Sequence, residues 1–398
     1  VKRSTPADAP TSMPKAHGWD AADFVRNVDP YIATAMVVLL GLGTVLVYSA
    51  SAVRAEDMGG GSTRFLFRHL VALALGFGAL AATVRIPVDR WSTWATALMV
   101  ATIAMLVLVF VPGLGREANG AARWLGVGPF SVQPAEIGKL AVAVYLAHVL
   151  AKKREQISEF SVGFVPPVAI VGGTALLVLV QPDFGTAAVL VAMLGVMLFV
   201  AGTRIAYLVF AVGAAAPFAL HYVATRPHAR ARIVAFMNPE AYRADIGYQA
   251  WESLVSFGSG GVFGLGLGRG NQKLFFLPES HTDFIFSVVG QELGFFGVLI
   301  VMAAFVILVG RSFQIASELP CRFPMFLVIA IGTWIGLQAL VHMGVAVAIL
   351  PTKGLTLPFV SFGRSSLVVT MAAMGIVLRA SAEQRAHASG VSPRRKKS

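Results

Sequence analysis

Apolar runs of about 20 residues recur along almost the whole chain, and they leave little choice of fold. A bilayer core of about 30 Å is spanned by roughly 20 helical residues. Ten runs approach that length, at about 30–49, 66–84, 93–112, 135–151, 163–180, 184–202, 205–223, 284–310, 323–349 and 358–378. They are continuous rather than alternating, so they read as helices and not as strands of a membrane barrel. Of the 398 residues, 56% are hydrophobic and 13% are charged. Soluble proteins carry about 25% charged residues, so this chain has too little charge to coat a globule in water. The expected fold is all-α and polytopic, with about ten transmembrane helices.

An even number of spans puts both termini on one side. The loops of that side carry Arg85, Arg90, Lys152, Lys153, Arg204, Arg311 and Arg322, and the last residues add Arg394-Arg-Lys-Lys397. Cytoplasmic loops are the ones enriched in Lys and Arg, so the termini are expected in the cytoplasm. The expected division is an N-terminal tail over 1–29, a ten-helix domain over 30–379 and a basic tail over 380–398. Residues 224–283 then form a large extracytoplasmic loop between helices 7 and 8. Within it, Tyr248-Gln-Ala-Trp-Glu-Ser-Leu254 is spaced as a surface helix. The net charge of +12 is scattered between spans, which argues against nucleic acid as a partner. A single cysteine, Cys321, excludes an internal disulfide and a cysteine metal site.

Four polar clusters interrupt the apolar pattern at or near the outer side. Leu277-Pro-Glu-Ser-His-Thr-Asp-Phe-Ile-Phe286 sets Asp283 at the seam between a polar loop and an apolar run. A charge there must be hydrated, paired or used. His281, Glu279, Lys273, Gln249 and Glu252 belong to the same segment. Asn119-Gly-Ala-Ala-Arg-Trp124 and Gln133-Pro-Ala-Glu-Ile-Gly-Lys139 form the second cluster. Glu136 and Lys139 are three residues apart, so they share a helix face and can pair. They read either as a structural ion pair or, with Arg123, as a phosphate site. In Gln181-Pro-Asp-Phe-Gly-Thr186, Asp183 can cap the following helix, and a helix start is also a natural anion site. The fourth cluster, Leu350 to Ser366, has two prolines and two glycines, and such broken backbone at membrane depth must be buried in protein or line a cavity. It places Arg364 several residues inside the expected last span. His69, His148 and His342 stand alone among apolar residues and read as packed histidines.

These clusters, in this order, resemble the SEDS family of bacterial shape, elongation, division and sporulation proteins over essentially the whole membrane region. The motifs that carry the resemblance are Asn119-Gly-Ala-Ala-Arg-Trp124, Gln133-Pro-Ala-Glu136, Gln181-Pro-Asp183, Gln272-Lys-Leu-Phe-Phe-Leu-Pro-Glu279, His281-Thr-Asp-Phe-Ile-Phe286 and Gly354-Leu-Thr-Leu-Pro-Phe-Val-Ser361. The Gln272 to Glu279 wording is closer to the division branch than to the elongation branch. Four positions depart from the family pattern, and at one of them Phe362 stands where tyrosine is usual. Arg364 stands where glycine is usual, His342 where asparagine is usual, and Glu252 where glutamine is common.

The resemblance implies a peptidoglycan glycosyltransferase of septal wall synthesis in the bacterial inner membrane. It would polymerise lipid II with inversion at C1 and release undecaprenyl pyrophosphate. It implies Asp283 as the essential acid, which we assign as the base for the acceptor hydroxyl. Arg64, Arg68, Arg123, Glu136, Lys139, Asp183, Gln249, Lys273, His281 and Ser361 are the expected substrate-binding residues. A divalent cation, Mg or Mn, could share the pyrophosphate's charge, although no dedicated ligand cage is visible. Expected partners are a class B penicillin-binding protein of the FtsI type and division membrane proteins of the FtsQ, FtsL and FtsB types. Three rival readings stand beside this one: the first is a lipid II flippase, which many spans and broken helices would suit, and the second is a scaffold in which Asp283 is dispensable. An elongation-type polymerase is the third.

Overall fold

The computed structural model describes residues 24–388 apart from 25, 58–60, 119–120, 128–129, 154–155, 226 and 271–278. The helices are α1 (Pro30–Asp57), α2 (Arg64–Arg85), α3 (Arg90–Leu108), α4 (Pro134–Lys152), α5 (Val165–Val180), α6 (Phe184–Ala201), α7 (Ile205–Thr225), α8 (Pro227–Met237), α9 (Tyr248–Gly260), α10 (Ile285–Glu318), α11 (Arg322–Ala346) and α12 (Arg364–Ala388). Among the described residues nine helices are long and apolar enough to cross a membrane, and the chain is a multi-pass membrane protein. The seventh expected span is helical as α7, but its strongly apolar part is only Ile205–Pro217. Pro217 lies within it and cannot donate to the helical ladder.

Burial separates the centre from the periphery. In α4, α11 and α12, 72%, 67% and 78% of the most apolar window is buried, against 17% in α2 and 28% in α3. The central helices therefore carry polar side chains that never meet lipid, and the peripheral ones present Phe67, Leu75, Val100 and Val107 outward. Local chemistry sets the helix ends. Pro134 opens α4 where its missing N–H costs nothing. Asp183 caps α6 by accepting from the Thr186 N–H, as expected. Gly202 ends α6 with φ 90°, a conformation that only glycine adopts readily.

Three features depart from the sequence reading. First, Gly115 to Val132 is a three-stranded antiparallel sheet: β1 (Gly115–Ala118), β2 (Ala121–Val127) and β3 (Phe130–Val132). Gly115 pairs with Leu125, and Leu125 with Val132. Second, α10 is broken at Gly294 (φ 66°, ψ −161°). The glycine-rich segment after α9 lies along that break. Leu265 and Gly266 donate to the carbonyls of Gln291 and Glu292, and the Phe295 N–H donates to the Gly261 carbonyl. Side chains larger than hydrogen would block this approach, since a Cβ on Gly264 would lie 2.7 Å from the Gly294 nitrogen. Third, the expected span 358–378 starts later. Residues 351–363 are irregular, and α12 begins at Arg364 and runs to Ala388. Arg364 therefore sits at a helix start and not inside a span.

At the end of the molecule where α10 finishes and α1 begins, a buried carboxylate ties three helices. Asp29 accepts from Arg311 Nη2 and Arg385 Nη2, both at 2.6 Å, and from the N–H groups of Tyr31 and Ile32 at 3.0 and 3.1 Å. Beside it, Arg379 donates to Glu383 at 2.6 Å one turn further along α12.

Candidate active site

At the opposite end of α10, the segment before it and the irregular segment 351–363 meet. Ser361 Oγ donates to the Thr282 carbonyl at 2.6 Å and accepts from the Leu357 N–H at 2.8 Å. The Phe362 N–H donates to the His281 carbonyl at 2.9 Å. These bonds fasten Asp283, two residues before α10, beneath the loop. Gly354 passes so close that a Cβ there would lie 3.1 Å from Asp283 Oδ2.

Asp283 lines a cavity of about 240 Å³ together with Arg123, Asp183, Arg232, Gln249, Glu279 and Lys353. Burial and then the neighbouring Glu279 push its carboxyl up to about 7, while Thr282 and Arg123 oppose the shift. Burial likewise raises Asp183, against the hydrogen bonds from Thr186 and the charge of Arg123. Burial, and then the neighbouring charge of Arg232, lowers the Lys353 ammonium. The site thus holds an acid poised near neutrality among three cations.

Arg123 comes from β2. Its Nε and Nη2 donate to the carbonyls of Gln181 and Pro182, each at 2.8 Å, so the sheet is bolted to the turn between α5 and α6. Asp183 receives Gln133 Nε2 at 3.2 Å as well as its cap bonds.

Glu136 and Lys139 pair at 2.8 Å, as their spacing predicts. Lys139 is fully buried, donates to Gln338 Oε1 at 2.7 Å and lies over the Trp334 ring at 5.2 Å from its centroid. It does not line the cavity. Gln338 passes the connection on, donating to the Thr356 carbonyl at 2.8 Å. His342 reaches the same loop, with Nδ1 2.6 Å from the Leu355 carbonyl oxygen. The buried polar groups of α4 and α11 therefore shape the backbone that overlies Asp283.

A sequence model described as a cell cycle protein family, FTSW_RODA_SPOVE, matches residues 31–386. The chain belongs to the FtsW, RodA and SpoVE family of cell cycle proteins. It is 41% identical over 358 residues to a probable peptidoglycan glycosyltransferase FtsW of Trichlorobacter lovleyi, covering 90% of this chain and 94% of the relative. The corresponding FtsW protein of Geobacter sulfurreducens is 42% identical over 357 residues, with 90% and 96% covered. Among solved structures, the fold matches a chain from a study of how a peptidoglycan synthase complex coordinates polymerization and crosslinking. That match has TM-score 0.75 and 29% identity, over 91% of this chain and 98% of that one. The rod shape determining protein RodA of Thermus thermophilus matches with TM-score 0.66 and 28% identity, over 89% and 96%.

Within this FtsW-like fold the expected site residues separate into groups. Asp283, Arg123, Asp183 and Gln249 line one cavity. Glu136, Lys139 and Ser361 lie behind its walls. His281 is buried, its ring packed between Phe65 and Phe362 at 4.9 and 5.6 Å. Arg64 and Arg68 are exposed on the first turns of α2, and Arg68 lines a different cavity. Lys273, with Gln272 to Pro278 of its motif, lies outside the described residues, as do Asn119-Gly120 and the tails 1–23 and 389–398. Sequence reasoning missed Arg232, Lys353 and Gln338 as parts of this arrangement. A lone glutamine in an apolar helix was the available signal for Gln338. Among the described residues no group of three or more His, Cys, Asp or Glu side chains is arranged to hold a metal ion.

Proposed function

We propose that this protein is a peptidoglycan glycosyltransferase that polymerises lipid II during septal wall synthesis, with Asp283 as its general base. The observation that carries the proposal is the cavity itself: one buried carboxyl held near 7 and facing Arg123, Arg232 and Lys353. The FtsW designation of relatives at 41–42% identity supports the reaction and the septal role.

In the proposed step, the 4-hydroxyl of the acceptor lipid II gives its proton to the Asp283 carboxylate. The hydroxyl oxygen forms a bond to C1 of the growing glycan's terminal sugar. The C1–oxygen bond to the pyrophosphate breaks on the opposite face, and undecaprenyl pyrophosphate departs with the electron pair. A single displacement of this kind inverts C1. A base whose pKa lies near the working pH does this most effectively, for about 10²–10⁴-fold. The three cations stabilise the charge that grows on the pyrophosphate, and fixed charges aimed at a developing anion act without reorganisation. Among the described residues no group of His, Cys, Asp or Glu side chains forms a cation cage. Lys139 and Glu136 act as positioning residues through Gln338 and the loop at Thr356.

The proposed topology sets Asp283 outside the membrane and both termini in the cytoplasm, which the Lys and Arg bias of the loops supports. The proposed partner is a class B penicillin-binding protein, with other division membrane proteins. The match to a chain of a peptidoglycan synthase complex supports a shared assembly. The test is reconstitution of the purified protein with lipid II, with and without that partner. Glycan strands should appear with the wild type and vanish with Asp283→Asn while the protein keeps its fold. Full polymerisation by Asp283→Asn would remove the base assignment, and lipid II flipping without polymerisation would favour a transporter.

A further inference from the structure

A second cavity, of about 620 Å³, lies between the first halves of α2 and α12. Its long walls are Val71, Leu75, Ile137, Val368 and Val369. Only one end is polar, where Arg68 and Arg364 stand with Ser131 and Ser365. It shares no lining residue with the Asp283 cavity. Below it the helices close together. Gly76 faces Met371, and a Cβ on Gly375 would lie 2.8 Å from the Leu80 carbonyl oxygen, so the slot has a floor.

Both walls belong to helices that can span a bilayer, so the slot lies at membrane depth. Arg364 donates to Ser131 Oγ at 3.1 Å. Among the described residues neither arginine forms an ion pair. Two cations at the mouth of a hydrocarbon slot complement a ligand with an anionic head and an apolar chain. The lining contains no amide, carboxylate or imidazole, the groups that would bind a sugar or move its proton. The ligand's head therefore needs a phosphate but no sugar.

We propose that this groove binds one anionic phospholipid of the surrounding bilayer. Arg68 and Arg364 hold its phosphodiester, and an acyl chain lies between α2 and α12. Among the described residues, Gln133 connects the groove to the catalytic cavity. The Gln133 N–H donates to Ser365 Oγ at 3.3 Å, and Gln133 Nε2 donates to Asp183 at 3.2 Å. An occupant that steadies Arg364 and Ser365 also steadies Asp183. Binding stands apart from the glycosyltransferase reading.

The experiment is native mass spectrometry of the full chain titrated with phosphatidylglycerol, with zwitterionic phosphatidylethanolamine and with undecaprenyl phosphate. Phosphatidylglycerol should bind about fivefold more tightly than phosphatidylethanolamine, the scale expected for one or two arginines near a lipid phosphate. Arg364→Ala should weaken phosphatidylglycerol about fivefold and phosphatidylethanolamine by less, because the ethanolamine ammonium already offsets its phosphodiester charge, and the remaining phosphatidylethanolamine binding reports an intact groove. Arg364→Lys should keep most of the preference. Equal affinity for the two phospholipids, or no effect of Arg364→Ala, overturns the proposal. Displacement of phosphatidylglycerol by equimolar undecaprenyl phosphate also overturns it, by making the groove a site for the carrier lipid.

Discussion

Asp29 and Asp283 are buried carboxylates at opposite ends of the molecule, and their surroundings give them opposite characters. Burial tends to raise Asp29, but Arg311, the Ile32 N–H and Arg385 outweigh it and hold the carboxyl below the usual range. Among the described residues Asp283 has no such ion pair, and burial with Glu279 carries it to about 7. The same side chain is a clamp where two guanidinium groups grip it at 2.6 Å, and it takes the character proposed for a base where cations only line the same cavity. Perturbed carboxyls of the second kind gather at functional sites because a low-dielectric pocket stores the wish to take up a proton.

Exchanging each acid for its amide should separate the two roles. Asp283→Asn should lower lipid II polymerisation by about 10²–10⁴-fold with no loss of melting temperature. Asp29→Asn should do the reverse. Removing one partner of a buried pair costs about 3–5 kcal/mol, and both arginines here are about a third exposed, so solvent reduces the cost to roughly 1–3 kcal/mol. The protein should melt earlier, and its activity per folded molecule should stay within about twofold of wild type. A large fall in that specific activity would mean that the two ends are coupled along α10.

The Asp283 end and the Asp29 end also differ in how far the sequence disclosed them. The spans, the α9 helix, the Asp183 cap and the Glu136–Lys139 pair were legible because each depends on spacing within a few residues. The Asp29 clamp was not legible, because its two arginines lie 282 and 356 residues from the carboxylate and reach it only through helix packing. The small sheet was overlooked although Asn119-Gly120 between short runs is a hairpin signal. The break at Gly294 was hidden for another reason. Apolar residues continue through it, and only the opposing glycines at 261–266 make the gap tolerable. In the candidate site, Asp283 stood out by its isolation. Arg232 and Lys353 did not, since a cation in an outer loop is ordinary until folding turns it inward.

Between the extremes lies the Lys139 chain, a buried ion pair that reaches the site only through Gln338 and Thr356. Lys139→Met leaves Glu136 buried beside an apolar side chain, whereas the double change Lys139→Met with Glu136→Gln removes both charges. The single variant should lose about 3 kcal/mol of stability or more, and the double variant should recover much of it. If the pair only positions the loop, the double variant should also recover kcat to within about tenfold of wild type. A Lys139 that bound pyrophosphate directly would leave the double variant as inactive as the single one, measured as kcat and KM for lipid II.

The smallest effect is the pH response, and it tests the contrast between the acids directly. As a base, Asp283 must be ionised, so polymerisation should rise about tenfold from pH 6 to pH 7.5 and level off above that, following a group near 7. Its stability effect has the opposite sign. The folded carboxyl sits above its unfolded value, so its contribution is complete below about pH 4 and is lost as pH rises toward 7. Asp283→Asn escapes this loss, and its advantage in melting temperature over wild type should grow between pH 4 and pH 7 and then stay constant. Asp29 is depressed, so its contribution is complete above about pH 4 and is lost only as pH falls through its lowered folded value. Asp29→Asn should therefore differ most from wild type at neutral pH and least in acid. Two variants whose stability differences followed the same pH course would mean that the two carboxylates do not differ as their surroundings require.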